Sequence, residues 1–101
     1  MLDYEKISLV LKAIADPNRM KIIDILSCGE QCACDILPNL NMTQPSLSHH
    51  MKVLEEAEII TVTKRGQWRY YQLKADLPLE LSEQLSYLFL SKKDCSCKSK
   101  Q

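Results

Sequence analysis

Thr43-Gln44-Pro45-Ser46-Leu47-Ser48-His49-His50-Met51-Lys52-Val53-Leu54 is the stretch on which the fold turns. Thr43 can cap a helix, and Pro45 falls in that helix's first turn, where a missing N–H does little harm. Leu47, Met51 and Leu54 recur at three- and four-residue steps and form an inner stripe. Gln44, Ser48, His49 and Lys52 are left to face outward, and the helix runs to about Ala57. That outward face is small, polar and rich in hydrogen-bonding groups.

Upstream, Asn41-Met42-Thr43 is a brief polar turn, preceded by a short helix candidate over Glu30–Leu40 that contains Pro38. Asp16-Pro17 reads as a cap followed by a first-turn proline, opening a helix through Met20, Ile22, Ile23, Ile25 and Leu26 that Gly29 ends. Ile7, Val10, Leu11 and Ile14 give a first amphipathic helix from Tyr4 to Ala15. Downstream, Ile59-Ile60-Thr61-Val62-Thr63 and Trp68-Arg69-Tyr70-Tyr71-Gln72-Leu73 are β-rich runs joined by Lys64-Arg65-Gly66-Gln67, a hairpin with a basic tip. After Asp76 and Pro78, Leu79, Leu81, Leu85, Leu88 and Phe89 predict a fifth helix. At 101 residues the chain suits one core. The expected division is a domain over 1–92 and a flexible tail over 93–101 carrying Cys95 and Cys97.

Hydrophobic residues make up 46% and charged residues 26%, ordinary values for a folded protein. The formal charge is zero, so any nucleic-acid surface must be local. No basic segment leads into an apolar run at the N-terminus, and no apolar run approaches ~18 residues. The expectation is therefore a cytoplasmic protein with no membrane partner, in which Cys28, Cys32, Cys34, Cys95 and Cys97 are reduced. Metal ligation or redox sensing becomes the live question.

A short helix, a tight turn, a second helix with a polar outer face and then a hairpin is the plan of a winged helix-turn-helix, mainly α with a β-hairpin wing. An α-helix fits the major groove, and residues near its start reach base edges. Gln44, Ser46, Ser48 and His49 are the base-contact candidates, while Lys52, Lys64, Arg65 and Arg69 would meet phosphates. Glu55, Glu56 and Glu58 should point away from DNA. The hairpin cations have a second reading, as a charged edge that blocks aggregation. His50 is read as structural, and Trp68, Tyr70 and Tyr71 as core and sheet-face residues.

Cys32-Ala33-Cys34-Asp35, the Thr43–Leu54 stretch and Lys64-Arg65-Gly66-Gln67-Trp68-Arg69-Tyr70-Tyr71-Gln72-Leu73 together resemble the ArsR/SmtB family of metal-responsive repressors, over roughly residues 5 to 75. The resemblance implies a homodimer paired through its first and last helices, which binds operator DNA when metal-free and lets go when metal is bound. It implies Gln44 to Lys52 as the recognition helix and Lys64 to Arg69 as the wing. The leucine-rich fifth helix suits a dimer seam.

Cys-X-Cys alone is weak, since a buried cysteine is commonly a small hydrophobe. Cys95 and Cys97 repeat the spacing in a Lys- and Ser-rich tail with no core to fill, and the resemblance adds to this. Side chains two apart diverge on a helix but share a face in extended chain. Chelation and helix are thus expected to compete at Cys32 and Cys34, with Asp35 as an alternative cap. Pro38 cannot donate to the Cys34 carbonyl, which weakens a helix there.

Three thiolates suit As(III) or Sb(III), and four suit Cd(II), Pb(II) or Zn(II). Arsenic-responsive members of the resembling family often have a third cysteine at the position of Leu37, absent here. Cys95 or Cys97, from either protomer, is the expected third donor, with Cys28 next unless it is the buried end of the second helix. Cadmium-responsive members place cysteines near the N-terminus, and none precedes Cys28 here, which favours As(III). Asp76-Leu77-Pro78 lacks the histidine of the family's other metal site, so no zinc site is expected on the fifth helix. An enzyme is not expected: the two histidines are adjacent on the reading helix and no glycine-rich phosphate loop is present. The rivals are a thiol-redox regulator of the same fold and a metal buffer without DNA affinity.

Overall fold

Two aspartates start the first two helices in the computed structural model, which describes residues 3–90. Asp3 accepts from the Lys6 amide at 3.1 Å and opens α1, Tyr4–Ile14. Asp16 accepts from the Arg19 amide at 3.0 Å and opens α2, Pro17–Leu26, with Pro17 at the first helical position. Gly29, at φ +125°, lets the chain reverse after α2. There follow β1 (Gln31–Cys32), α3 (Ala33–Ile36), a 3₁₀ turn (Leu37–Asn39), α4 (Gln44–Glu56), β2 (Ile60–Arg65), β3 (Trp68–Leu73) and α5 (Leu77–Phe89). The strands form an antiparallel sheet in the order β1-β3-β2. No helix among the described residues is long and apolar enough to cross a membrane.

α4 is the central element. Leu47, Met51 and Leu54 are all buried, as the spacing predicts, and they join Ile22 and Leu26 of α2, Ile36 of α3, Ile59 just ahead of β2, and Ile60 and Tyr71 of the sheet in one core. Burying each such side chain is worth about 1.5–3 kcal/mol. Asp16, Arg19 and His50 lock α2 to α4 at the rim. Arg19 donates from Nε to the Ala13 carbonyl at 2.6 Å, and its Nη1 lies 3.0 Å from His50 Nδ1. Arginine only donates, so His50 Nδ1 accepts and the ring proton sits on Nε2. His50 is structural, as expected from its place beside the stripe.

The exit from α4 is fixed by a two-bond cap. Ile59 N–H donates to the Leu54 carbonyl at 3.0 Å and Glu58 N–H to the Glu55 carbonyl at 2.9 Å. Glu58 stands at φ +60°, the left-handed conformation that this cap requires and that glycine usually supplies. At the far end of the hairpin, Gly66 at φ +65° fills the first position of a two-residue turn between Arg65 and Trp68.

Several expectations are corrected. The stretch Glu30–Leu40 is not one helix: Gln31 and Cys32 pair with Tyr71 and Tyr70 as a third strand before α3 begins. α3 ends at Ile36 and passes into the 3₁₀ turn around Pro38, which has no N–H to give Cys34. In α1 the buried face is Ile7, Val10 and Ala13, while Leu11 is turned toward solvent, because the helix presents its small residue to the core. Trp68 is 49% exposed, a sheet-face residue at the hairpin tip rather than a core one. Cys28 is exposed, lying past the end of α2 rather than inside it.

Leu77 and Leu81 of α5 pack against the core. Leu79, Leu88, Phe89 and Leu90 stay exposed, as do Tyr4, Leu9 and Leu11 of α1. The two terminal helices thus each carry large apolar side chains that this fold does not cover.

Candidate nucleic-acid interface and thiol site

Thr43 Oγ1 accepts from the Ser46 amide at 3.3 Å and caps α4, so the start of the helix stands free at the surface. Gln44, Ser46, Ser48, His49 and Lys52 are all exposed on it. Gln44, Ser48 and Lys52 face across a cleft of about 800 Å³ toward Gln67, Trp68 and Arg69 of the hairpin. Ser46 and His49 are exposed on α4 outside that cleft's lining. Glu55, near the C-terminal end of α4, also lines the cleft.

The hairpin supplies the positive side. Lys64 lies directly opposite Arg69 in the β2–β3 ladder, on the face that carries Val62 and Tyr71 toward the core. Like charges paired across a ladder are destabilising, and an anion between them would relieve the repulsion. Arg65 is placed differently: it is ion-paired with Glu30 and stacked on Tyr70. Sequence reasoning missed Glu30, for which a lone acid ahead of Cys-X-Cys gives no signal. It also missed Trp68 as a cleft residue, since an aromatic in a β-rich run reads as core.

Cys32 and Cys34 also line this cleft. Cys32 is the last residue of β1 and the cap of α3, with extended backbone at φ −76°, ψ 148°, and its sulfur accepts from the Cys34 amide at 3.2 Å. The cap is therefore Cys32 and not Asp35. The extended backbone swings the Cys32 side chain over the start of α3, where it meets that of Cys34, with Cα atoms 5.1 Å apart. The two sulfurs are joined as a disulfide, where free thiols are expected. They converge with α3 formed, because Cys32 stands outside the helix as its cap.

Cys32 is buried and Cys34 exposed, giving the pair one anchored and one accessible member. Once reduced, two soft donors on one side of the chain fit two positions around a thiol-seeking centre. Among the described residues no cluster of three His, Cys, Asp or Glu side chains forms a metal site. Cys95 and Cys97 lie outside the described residues.

Two carboxylates are held below their ordinary range. For Asp16 the cause is the backbone N–H of Arg19 donating to it, with the Arg19 charge assisting. For Glu58 it is the hydrogen bond from Lys74 Nζ at 3.1 Å, followed by the lysine's charge.

Comparison with known proteins agrees with this layout. The family model described as "Bacterial regulatory protein, arsR family" matches residues 16–62, from the Asp16 cap into β2. The "Arsenical resistance operon repressor" of Staphylococcus xylosus is 41% identical over 98 residues, covering 97% of this chain and 94% of that protein. The "Transcriptional repressor SdpR" of Bacillus subtilis is 39% identical over 87 residues, covering 84% of this chain and 93% of that one. Among solved structures, an ArsR-like transcriptional regulator from Rhodococcus sp. RHA1 superposes with a TM-score of 0.76 at 19% identity, covering 84% of this chain and 80% of that chain. The fold is thus that of a winged-helix regulator.

Proposed function

The chain belongs to the ArsR family of winged-helix transcriptional repressors, and on that footing we propose that it holds operator DNA as a dimer and releases it when As(III) or Sb(III) is bound by the thiolates of Cys32 and Cys34. The observation that carries this reading is the shared cleft: the sulfur pair lines the same space as Gln44, Ser48 and Lys52 of α4 and Arg69 of the wing. A metalloid held there sits between the two DNA-facing elements.

The donor set fits. A trivalent centre takes soft sulfur ligands, and the reduced pair offers two from adjacent positions. Cys95 or Cys97, in the tail over 93–101 and from either protomer, supplies the third. Opening the sulfur pair around an ion moves Cys32 against Tyr70 in β3, or Cys34 within α3, and so displaces the wing together with α4. Gln44, Ser46, Ser48 and His49 read bases, and Lys52, Lys64 and Arg69 neutralise phosphates. The dimer forms through the uncovered apolar sides of α1 and α5, and the protein acts in the cytoplasm as a regulator rather than an enzyme.

The test uses reduced protein and a duplex that it selects from a random library. Fluorescence anisotropy is followed while arsenite, antimonite, cadmium, lead, zinc or peroxide is added. Arsenite and antimonite are expected to release the duplex, and Cys32→Ser and Cys34→Ser to keep binding and lose release. Full arsenite response in both variants removes the site assignment. Release by peroxide alone makes the protein a redox regulator, and release by cadmium, lead or zinc alone a tetrathiolate sensor.

A further inference from the structure

Arg65 ends β2 just before the wing turn, where a DNA-facing cation is expected, yet its guanidinium is already engaged. Its Nη1 reaches Glu30 Oε1 at 2.9 Å and its Nη2 reaches Glu30 Oε2 at 3.1 Å. That two-pronged geometry is the one by which arginine also grips a phosphate. The guanidinium carbon lies 4.6 Å from the centre of the Tyr70 ring, so the group is held from a second side. Both partners belong to the framework rather than the tip: Tyr70 pairs with Cys32 across the β1–β3 ladder, and Glu30 directly precedes β1. Among the described residues no ion pair involves Lys64 or Arg69, so Arg65 is the wing cation singled out for a partner.

We propose that Glu30 is a positioning residue of the wing, whose carboxylate stands in for a DNA phosphate on Arg65 in the free protein. DNA gains this arginine only by displacing Glu30. The inference rests on the reading that the wing meets DNA. The pair is electrically neutral, so while it is closed Arg65 displaces no counterion from a duplex and adds nothing to the salt dependence of binding. Glu30 thereby lowers the wing's general attraction for nucleic acid and leaves Lys64 and Arg69 to make the first approach.

The experiment measures affinity for the selected duplex by anisotropy across a series of KCl concentrations, in wild type, Glu30→Gln, Glu30→Asp and the double variant Glu30→Gln/Arg65→Gln. Glu30→Gln should bind more tightly at low salt, and its plot of log K against log [KCl] should steepen by about 0.9 for each arginine released. Glu30→Asp keeps the charge but is one methylene too short to hold both prongs, and should steepen as well. The double variant should return to the wild-type slope. An unchanged slope in Glu30→Gln overturns the proposal, as does weaker binding, which would make Glu30 a support of the DNA-bound wing. A Glu30→Asp variant matching wild type reduces the effect to bare charge and overturns it too. A double variant that stays steep does the same. If wild type binds no duplex at any salt, the DNA reading falls and this inference with it, whereas binding with invariant slopes removes this inference alone.

Discussion

Cys32 lies directly opposite Tyr70 in the β1–β3 ladder while its sulfur caps α3 and meets that of Cys34. One residue thus belongs at once to the sheet that carries the wing and to the helix that leads into α4. A buried position with both duties is sensitive to what its side chain can accept.

The first prediction concerns that cap. In reduced protein Cys32→Ser keeps an acceptor for the Cys34 amide and should match or exceed wild-type stability. Cys32→Ala loses it and should cost about 1 kcal/mol. Urea unfolding in reductant measures both, and equal midpoints for the two variants would show that the sulfur caps nothing.

The neighbouring histidines should separate cleanly. His49 is exposed on α4 and His50 is bonded to Arg19. His49→Ala should leave the unfolding midpoint in place and weaken the selected duplex by about 1–3 kcal/mol if it makes a good base contact. His50→Ala should cost about 1 kcal/mol of stability through the lost bond. Nitrogen NMR should find the His50 proton on Nε2; a proton on Nδ1 contradicts the Arg19 bond.

Acid should weaken the fold through Asp16 and Glu58. Both carboxylates sit below their ordinary values of 3.8 and 4.5 in the folded protein. A depressed folded value means the stabilisation is present above the unfolded value and is lost as pH falls through the folded one. The urea midpoint should therefore decline as pH drops below about 4.5. In Asp16→Asn/Glu58→Gln that decline should be shallower. An identical decline in the double variant would assign it to other groups.

Phe89, 88% exposed at the end of α5, tests the dimer. Phe89→Asp should shift the sedimentation of the protein from dimer toward monomer and weaken DNA binding, with its unfolding in dilute solution little changed. Unaltered sedimentation would place the seam elsewhere.

Long periodic elements were legible because many residues repeat the same signal. Leu47, Met51 and Leu54 mark the core face of α4, and all three are buried there. The outward set on α4 follows from that stripe. β1 was not legible, since two residues carry no period, and its existence depends on Tyr70 and Tyr71, far along the chain, offering an edge. For the same reason the cap at Cys32 went unseen: thiols are poor caps in isolation, and only the strand holds this one in place. Glu30 and Trp68 depend on the wing's position in space, which spacing does not encode.

Glu58 has a wider consequence. A left-handed residue tied by two backbone bonds leaves the junction between α4 and β2 almost no freedom to swivel, and Ile59 is sunk in the core immediately after it. α4 and the hairpin are therefore joined at residue 58 as a single stiff unit. On the proposed mechanism, a push at the cysteine end carries to the far tip of the wing instead of being absorbed on the way.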